Sequence, residues 1–132
     1  MSPVLAQQGP LIDWSWINRN LDQIIDRTWE HLTLTGVSVA VGLLLSIGLA
    51  IVVLRYRWTY PAITSTTGLL YTIPSLALFA LLVPFSGLSE LTAIIALTSY
   101  TLFILILNIV AGIDGVPEAV KEAADGMGYT RR

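Results

Sequence analysis

The 132-residue chain has no cysteine, a single histidine and only 12% charged residues, and each scarcity removes a class of chemistry. Without cysteine there is no disulfide framework, no thiolate nucleophile and no cysteine-based metal site. His31 has no second histidine to share a metal with, so it reads as a membrane-interface residue and no metal is expected. The net charge is −2 and no basic run exceeds two residues, so the electrostatic footprint of a nucleic-acid binder is missing. No GxxxxGK[ST], GxSxG or HExxH pattern occurs, which excludes the familiar phosphate-loop, serine-hydrolase and zinc-peptidase chemistries. The chain is expected to be no enzyme and to need no cofactor.

What is abundant is apolar. Hydrophobic residues make up 55% of the chain and the mean hydropathy is +0.73, whereas soluble domains carry about 25% charged residues. Such a chain belongs in a bilayer. Met1 to Gln8 contains no Lys or Arg and no apolar core follows before Asp13, so this stretch does not read as a secretory signal. Residues 1–12, with Pro3, Gly9 and Pro10, read as a disordered lead-in.

From Asp13 the pattern changes. Trp14, Ile17, Leu21, Ile24, Ile25 and Trp29 fall at helical spacing with polar residues between them, which predicts an amphipathic helix over 13–31. Its tryptophans suit the membrane interface; packing beneath a helix bundle is the alternative. Residues 32–54 form an uncharged stretch of 23 residues, enough to cross a hydrocarbon core of about 30 Å. Gly36, Ser38, Ala40, Gly42, Ser46, Gly48 and Ala50 are small and roughly four apart, so a neighbouring backbone could come close.

Pro61, Pro74 and Pro84 interrupt the next uncharged stretch, and a helix is expected near 64–84, kinked about Pro74. A turn with Gly87 follows, then a third span over 91–113. Pro74 is a candidate hinge in a pathway or a tolerated kink, and Tyr100 and Asn108 are candidates for lining a pathway or for hydrogen bonding between helices. Arg55, Arg57, Lys121, Arg131 and Arg132 fall on one side of a three-span arrangement, against Arg19 and Arg27 on the other. The positive-inside rule then places the richer side in the cytoplasm and the N-terminus outside.

Residues 114–132 are polar. Pro117 suits a first helical position, Glu118 favours the positive end of the helix dipole, and Gly126 or Gly128 can supply a left-handed stop, which predicts a helix of about nine residues. Val120, Ala123, Ala124 and Met127 would share one apolar stripe. Asp114, Glu118, Glu122 and Asp125 lack the spacing of a calcium loop and read as a solvated face.

Glu122, Ala123, Ala124 and, three residues on, Gly128 match the pattern EAAxxxG, and here the chain resembles the permease subunits of ATP-binding cassette (ABC) importers. The surrounding VPEAVKEAADGMG and the run YTIPSLALFALLVPF (71–85) are similar to the subfamily that imports osmoprotectants such as glycine betaine, carnitine and choline. The basic residues after the first span, and Asn108 followed by Gly112, also match, so the similarity covers roughly residues 30–132. Where that subfamily often has Pro and Arg before the Asn, this chain has Ile104 and Leu107.

The resemblance implies an all-α membrane protein: an interfacial helix, a three-helix part of a permease domain over 32–113 and a cytoplasmic EAA loop over 114–132. It implies that Glu122 makes a polar contact and Ala123 and Ala124 a packing contact with a separate ATP-binding subunit, while Gly128 turns the chain back. It further implies a second permease subunit, an extracytoplasmic substrate-binding protein and a location in the bacterial plasma membrane. Subunits of this kind continue with two or more further helices, so the chain is expected to be the N-terminal part of a core of five or more. Two other readings stay open: a permease for another small solute such as methionine, and a three-span scaffold whose EAA match is accidental.

Overall fold

A computed structural model describes residues 12–129, and every described regular element is helical. The order is α1 (Trp14–Arg19), α2 (Leu21–Arg55), a 3-10 turn (Arg57–Thr59), α3 (Tyr60–Thr72), α4 (Ser75–Ser86), α5 (Glu90–Asp114) and α6 (Glu118–Gly126). Among the described residues, those up to Thr33 and those from Leu34 onward form two compact units. The lead-in over residues 1–11 and the charges of Arg131 and Arg132 lie outside the described residues.

In the first unit, Asp13 caps α1: its Oδ1 accepts from the amides of Ser15 (2.9 Å) and Trp16 (3.0 Å) and from Ser15 Oγ (2.6 Å). The Ser15 hydroxyl and the Trp16 amide hold the Asp13 carboxyl below its ordinary pKa. The helix expected over 13–31 is divided at Asn20, whose non-helical backbone ends α1 and whose Nδ2 donates to Trp16 O at 2.8 Å. Trp14, Trp16 and Trp29 are all exposed.

The second unit shows how the spans pack. α2 and α5 are each long and apolar enough to cross a membrane. Ser38, Gly42, Ser46 and Ala50, four residues apart, form the buried face of α2 together with Val53. Thr98 Oγ1 of α5 donates to Ser38 O at 3.4 Å, and a Cβ at Gly42 would collide with the side chain of Thr101. Further on, Ala50 and Val53 pack with Ile106 and Val110 in one apolar cluster. The order of these contacts makes α2 and α5 parallel. A chain joining two parallel spans must return across the same thickness between them, and α3 with α4 supplies that return.

α3 descends along α5: Tyr60 and Ile63 join the Ile106 and Val110 cluster, Gly68 and Tyr71 meet Phe103, and Tyr100 Oη donates to Ile73 O at 2.5 Å. α4 completes the path, with Ser86 Oγ 2.7 Å from Thr92 Oγ1 near the start of α5. Gly87 turns the chain there at φ +70°, a conformation that glycine adopts without steric cost. Ser89 then caps α5 by accepting from Thr92 N at 3.4 Å.

Pro74 does more than kink a continuous helix. The segment expected as one helix over 64–84 is two helices, α3 starting earlier at Tyr60, bent by 99° at the break. Pro74 offers no amide to the carbonyl four residues back, and a residue before proline is pushed out of the helical region. Ile73 (ψ 126°) and Pro74 (ψ 135°) are accordingly both extended, and two extended residues in succession redirect the chain. Pro61 interrupts nothing because it lies in the first turn of α3, where its missing amide is not needed, and α4 continues through Pro84 to Ser86.

Candidate functional site

α6 has the nine residues its sequence predicts, Glu118–Gly126, but Pro117 stands one position earlier than expected. Its ψ of 143° makes it the extended capping residue, and Glu118 is the first helical one. At the other end Gly128 has φ +84°. Tyr129 N donates to Ala124 O at 3.1 Å and Gly128 N to Asp125 O at 3.0 Å, the paired bonds of a Schellman stop. The glycine of EAAxxxG therefore has a physical reason: it occupies the left-handed position that closes the helix, four residues after the second alanine. Gly126, the other candidate for this stop, is the last helical residue.

The surface of α6 is open. Val120 is 55% exposed, Met127 72% and Tyr129 70%; Glu122 and Ala123 are exposed and Ala124 is half-buried. The apolar stripe read from spacing thus faces away from the bundle, with the small side chain of Ala123 accessible at its centre. Ala123 is small and exposed, and the exposed Glu122 lies beside it. Glu118 pairs with Lys121 at 3.2 Å on the exposed side.

One contact ties this segment to the bundle, and it was not read from the sequence. Arg57 Nη1 donates to Asp114 Oδ2 at 2.7 Å and Nη2 to Oδ1 at 2.5 Å, a two-pronged pair. It joins the turn after α2 to the last residue of α5, four residues before α6 begins. Asp114 had been grouped with the solvated acids. The available signal was two opposite charges at span ends expected on one side of the membrane.

The remaining candidates separate. Tyr100 and Pro74 meet at the break between α3 and α4, where a cleft of about 440 Å³ is lined by Tyr71, Thr72, Ile73, Pro74, Ser75 and Tyr100. Tyr100 joins α5 to the end of α3 through its hydrogen bond to Ile73 O. Asn108 does not: its Nδ2 donates within α5 to Ile104 O at 2.7 Å, and it lies about 12 Å along the helix axis from Tyr100. His31 is exposed, and no group of metal-binding side chains occurs among the described residues.

The chain spans about half the length of the curated relatives it matches. It is 30% identical over 115 residues to the choline transport system permease protein OpuBB of Bacillus subtilis (strain 168), covering 87% of this chain and 53% of that one. It is 31% identical over 116 residues to the osmoprotectant import permease protein OsmW of Salmonella typhimurium, with 84% and 54% covered. The glycine betaine/carnitine/choline transport system permease protein OpuCB of Bacillus subtilis (strain 168) is 28% identical, with 88% and 54% covered. No solved structure matches the chain. The family model for the inner membrane component of binding-protein-dependent transport systems matches residues 42–132, from the middle of α2 through α6, and the chain, an all-α membrane protein with several spans, belongs to that family of transport components rather than to any family of enzymes.

Proposed function

We propose that this chain forms the first part of the permease of an ABC importer for quaternary ammonium osmoprotectants such as glycine betaine, choline or carnitine. In this reading α6 is the coupling element: Glu122, Ala123 and Ala124 meet a separate ATP-binding subunit, and Gly128 turns the chain back. ATP hydrolysis belongs to that subunit, since the sequence carries no phosphate-binding loop. A second permease subunit and an extracytoplasmic binding protein complete the assembly. α6 faces the cytoplasm, and α1 lies on the outer side of the membrane.

The observation that carries the reading is the EAAxxxG segment folded as an exposed, Schellman-closed helix at the end of a span. The cargo rests on relatives named for choline, carnitine and glycine betaine. The orientation rests on Arg55, Arg57 and Lys121 and on the Arg57–Asp114 pair, which gathers the ends of α2 and α5 at one side.

The test is co-purification with the ABC ATPase partner, followed by uptake through the assembled importer. Ala123→Arg and Glu122→Lys are expected to cut association more than tenfold and to abolish ATP-dependent uptake of glycine betaine. Association unchanged by both substitutions would sink the coupling role. Uptake of methionine without glycine betaine would keep the importer and replace the cargo.

A further inference from the structure

The joint between α5 and α6 is short. Gly115 ends α5 with its amide on Ala111 O at 2.8 Å, Pro117 is extended at ψ 143°, and α6 begins at the next residue with none of its own residues buried. Element ends of this kind are where a chain absorbs a change of direction. The covalent path from α6 leads into α5, so a push on α6 needs a second contact at the joint to reach α2 and α3 directly.

That contact is present. Arg57 and Asp114 meet through two hydrogen bonds, and a two-pronged pair fixes an angle as well as a distance. Arg57 is rooted where α2 and α3 meet: it opens the 3-10 turn before α3, and the preceding amide, Tyr56 N, still bonds Val52 O of α2 at 2.8 Å. Lys121 of α6, half-buried and paired with Glu118, sits close enough that its charge also acts on the Asp114 carboxylate. The acid at the end of α5 thus answers to one cation from the α2–α3 turn and to another from α6. Exposed ion pairs are weak as a rule, but a bidentate arginine–carboxylate pair and a group of several charges are the two arrangements that count. Both occur at this joint.

We infer that the Arg57–Asp114 pair is the clasp through which movement of α6 reaches α2 and α3. This rests on the coupling role proposed above for α6 and goes beyond it by assigning the residues that carry the movement into the spans. A displaced α6 pulls on α5 through residues 115–117 and, at the same joint, on the α2–α3 turn through the two prongs of Arg57. Arg57 and Asp114 are positioning residues, since neither belongs to the helix that meets the ATPase. With the clasp closed, α5 and the α2–α3 turn move together; with it open, α6 swings about residues 115–117 and much of its movement is lost.

The experiment uses the complete importer in proteoliposomes and reads solute taken up per ATP hydrolysed, with glycine betaine as the solute, or methionine if that is what the importer carries. Arg57→Ala and Asp114→Ala are each expected to lower this ratio about fivefold while ATP hydrolysis continues. Arg57→Lys keeps the charge and loses the second prong, and should lower the ratio about twofold. Arg57→Asp combined with Asp114→Arg rebuilds the pair in reverse and should recover most of the loss, which a merely structural role for either side chain would not do. The unfolding midpoint of the importer should stay at the parent value throughout. A ratio unchanged in both alanine variants overturns the inference, and so does a reversed pair that restores nothing. Ala123→Arg, made in the same importer, separates the two claims. Lost ATPase association in that variant, with an unchanged ratio in both alanine variants, keeps the coupling reading and loses the clasp. Association indifferent to Ala123→Arg removes the coupling reading, and the clasp with it.

Discussion

Gly42 and Gly128 are the same residue used for opposite reasons. Gly42 lies mid-helix in ordinary helical backbone, buried where α2 meets α5, and a Cβ there would run into Thr101. Gly128 has nothing within 4 Å of its added Cβ but holds φ +84° at the exposed end of α6. The first is glycine for space and the second for conformation. The regions differ accordingly: the α2–α5 seam depends on close approach, while α6 keeps its shape by local hydrogen bonding and leaves its surface free.

That contrast breaks most visibly at the seam. Gly42→Leu is expected to destabilise the helix bundle by about 3 kcal/mol, read as a lowered unfolding midpoint in nanodiscs. Gly42→Ala should cost less and recover in combination with Thr101→Ala, because the obstacle is the Thr101 side chain. A Gly42→Leu variant as stable as the parent chain would show that the seam is not closely packed.

The next effect belongs to the other glycine. Gly128→Ala should destabilise the end of α6 by about 1–2 kcal/mol, seen as faster hydrogen exchange at the Gly128 and Tyr129 amides. Gly128→Asn should cost clearly less, because asparagine tolerates the left-handed region. Asparagine at position 42 should gain no such relief, and equal tolerance at both positions would erase the distinction.

Tyr100→Phe removes the hydrogen bond to Ile73 O and keeps the ring packing on Tyr71, for an expected loss of about 1 kcal/mol by the same unfolding assay. The smallest effect is expected at Arg57 and Asp114. Both are exposed, so Arg57→Ala should change global stability little and any change should fade as salt is added. Its effect should appear locally, as wider distance distributions between spin labels at positions 56 and 118, narrowed again by exchanging the two charges. The absence of native cysteine makes such labelling direct.

Much of this architecture is legible along the chain because the bilayer imposes it. The span expected over 91–113 is helical over Glu90–Asp114, the turn falls at Gly87, and α6 has its nine residues, each from a local signal: charge exclusion, a glycine, a proline followed by acid. The residues proposed for coupling also form a local pattern, within seven positions. The partner of the small-residue stripe was not. Gly36 and Gly48 looked as suitable as Gly42, yet nothing lies within 4 Å of a Cβ at either, because only one helix face meets α5. The size of the bend at Pro74 was hidden for a similar reason: proline dictates that helix bonding is disturbed, whereas the 99° redirection depends on what holds Ile73 and receives α4.

The sequence by itself determined the apolar spans, their order, the turn at Gly87 and a glycine stop at Gly126 or Gly128, since hydropathy, proline and glycine act within a few residues of where they stand. Only the tertiary structure decided that α2 and α5 run parallel, that Arg57 grips Asp114, and that Tyr100 reaches the open break beside Pro74. Those contacts join positions 27 to 60 residues apart, and no local preference of the backbone encodes which distant face a helix will choose.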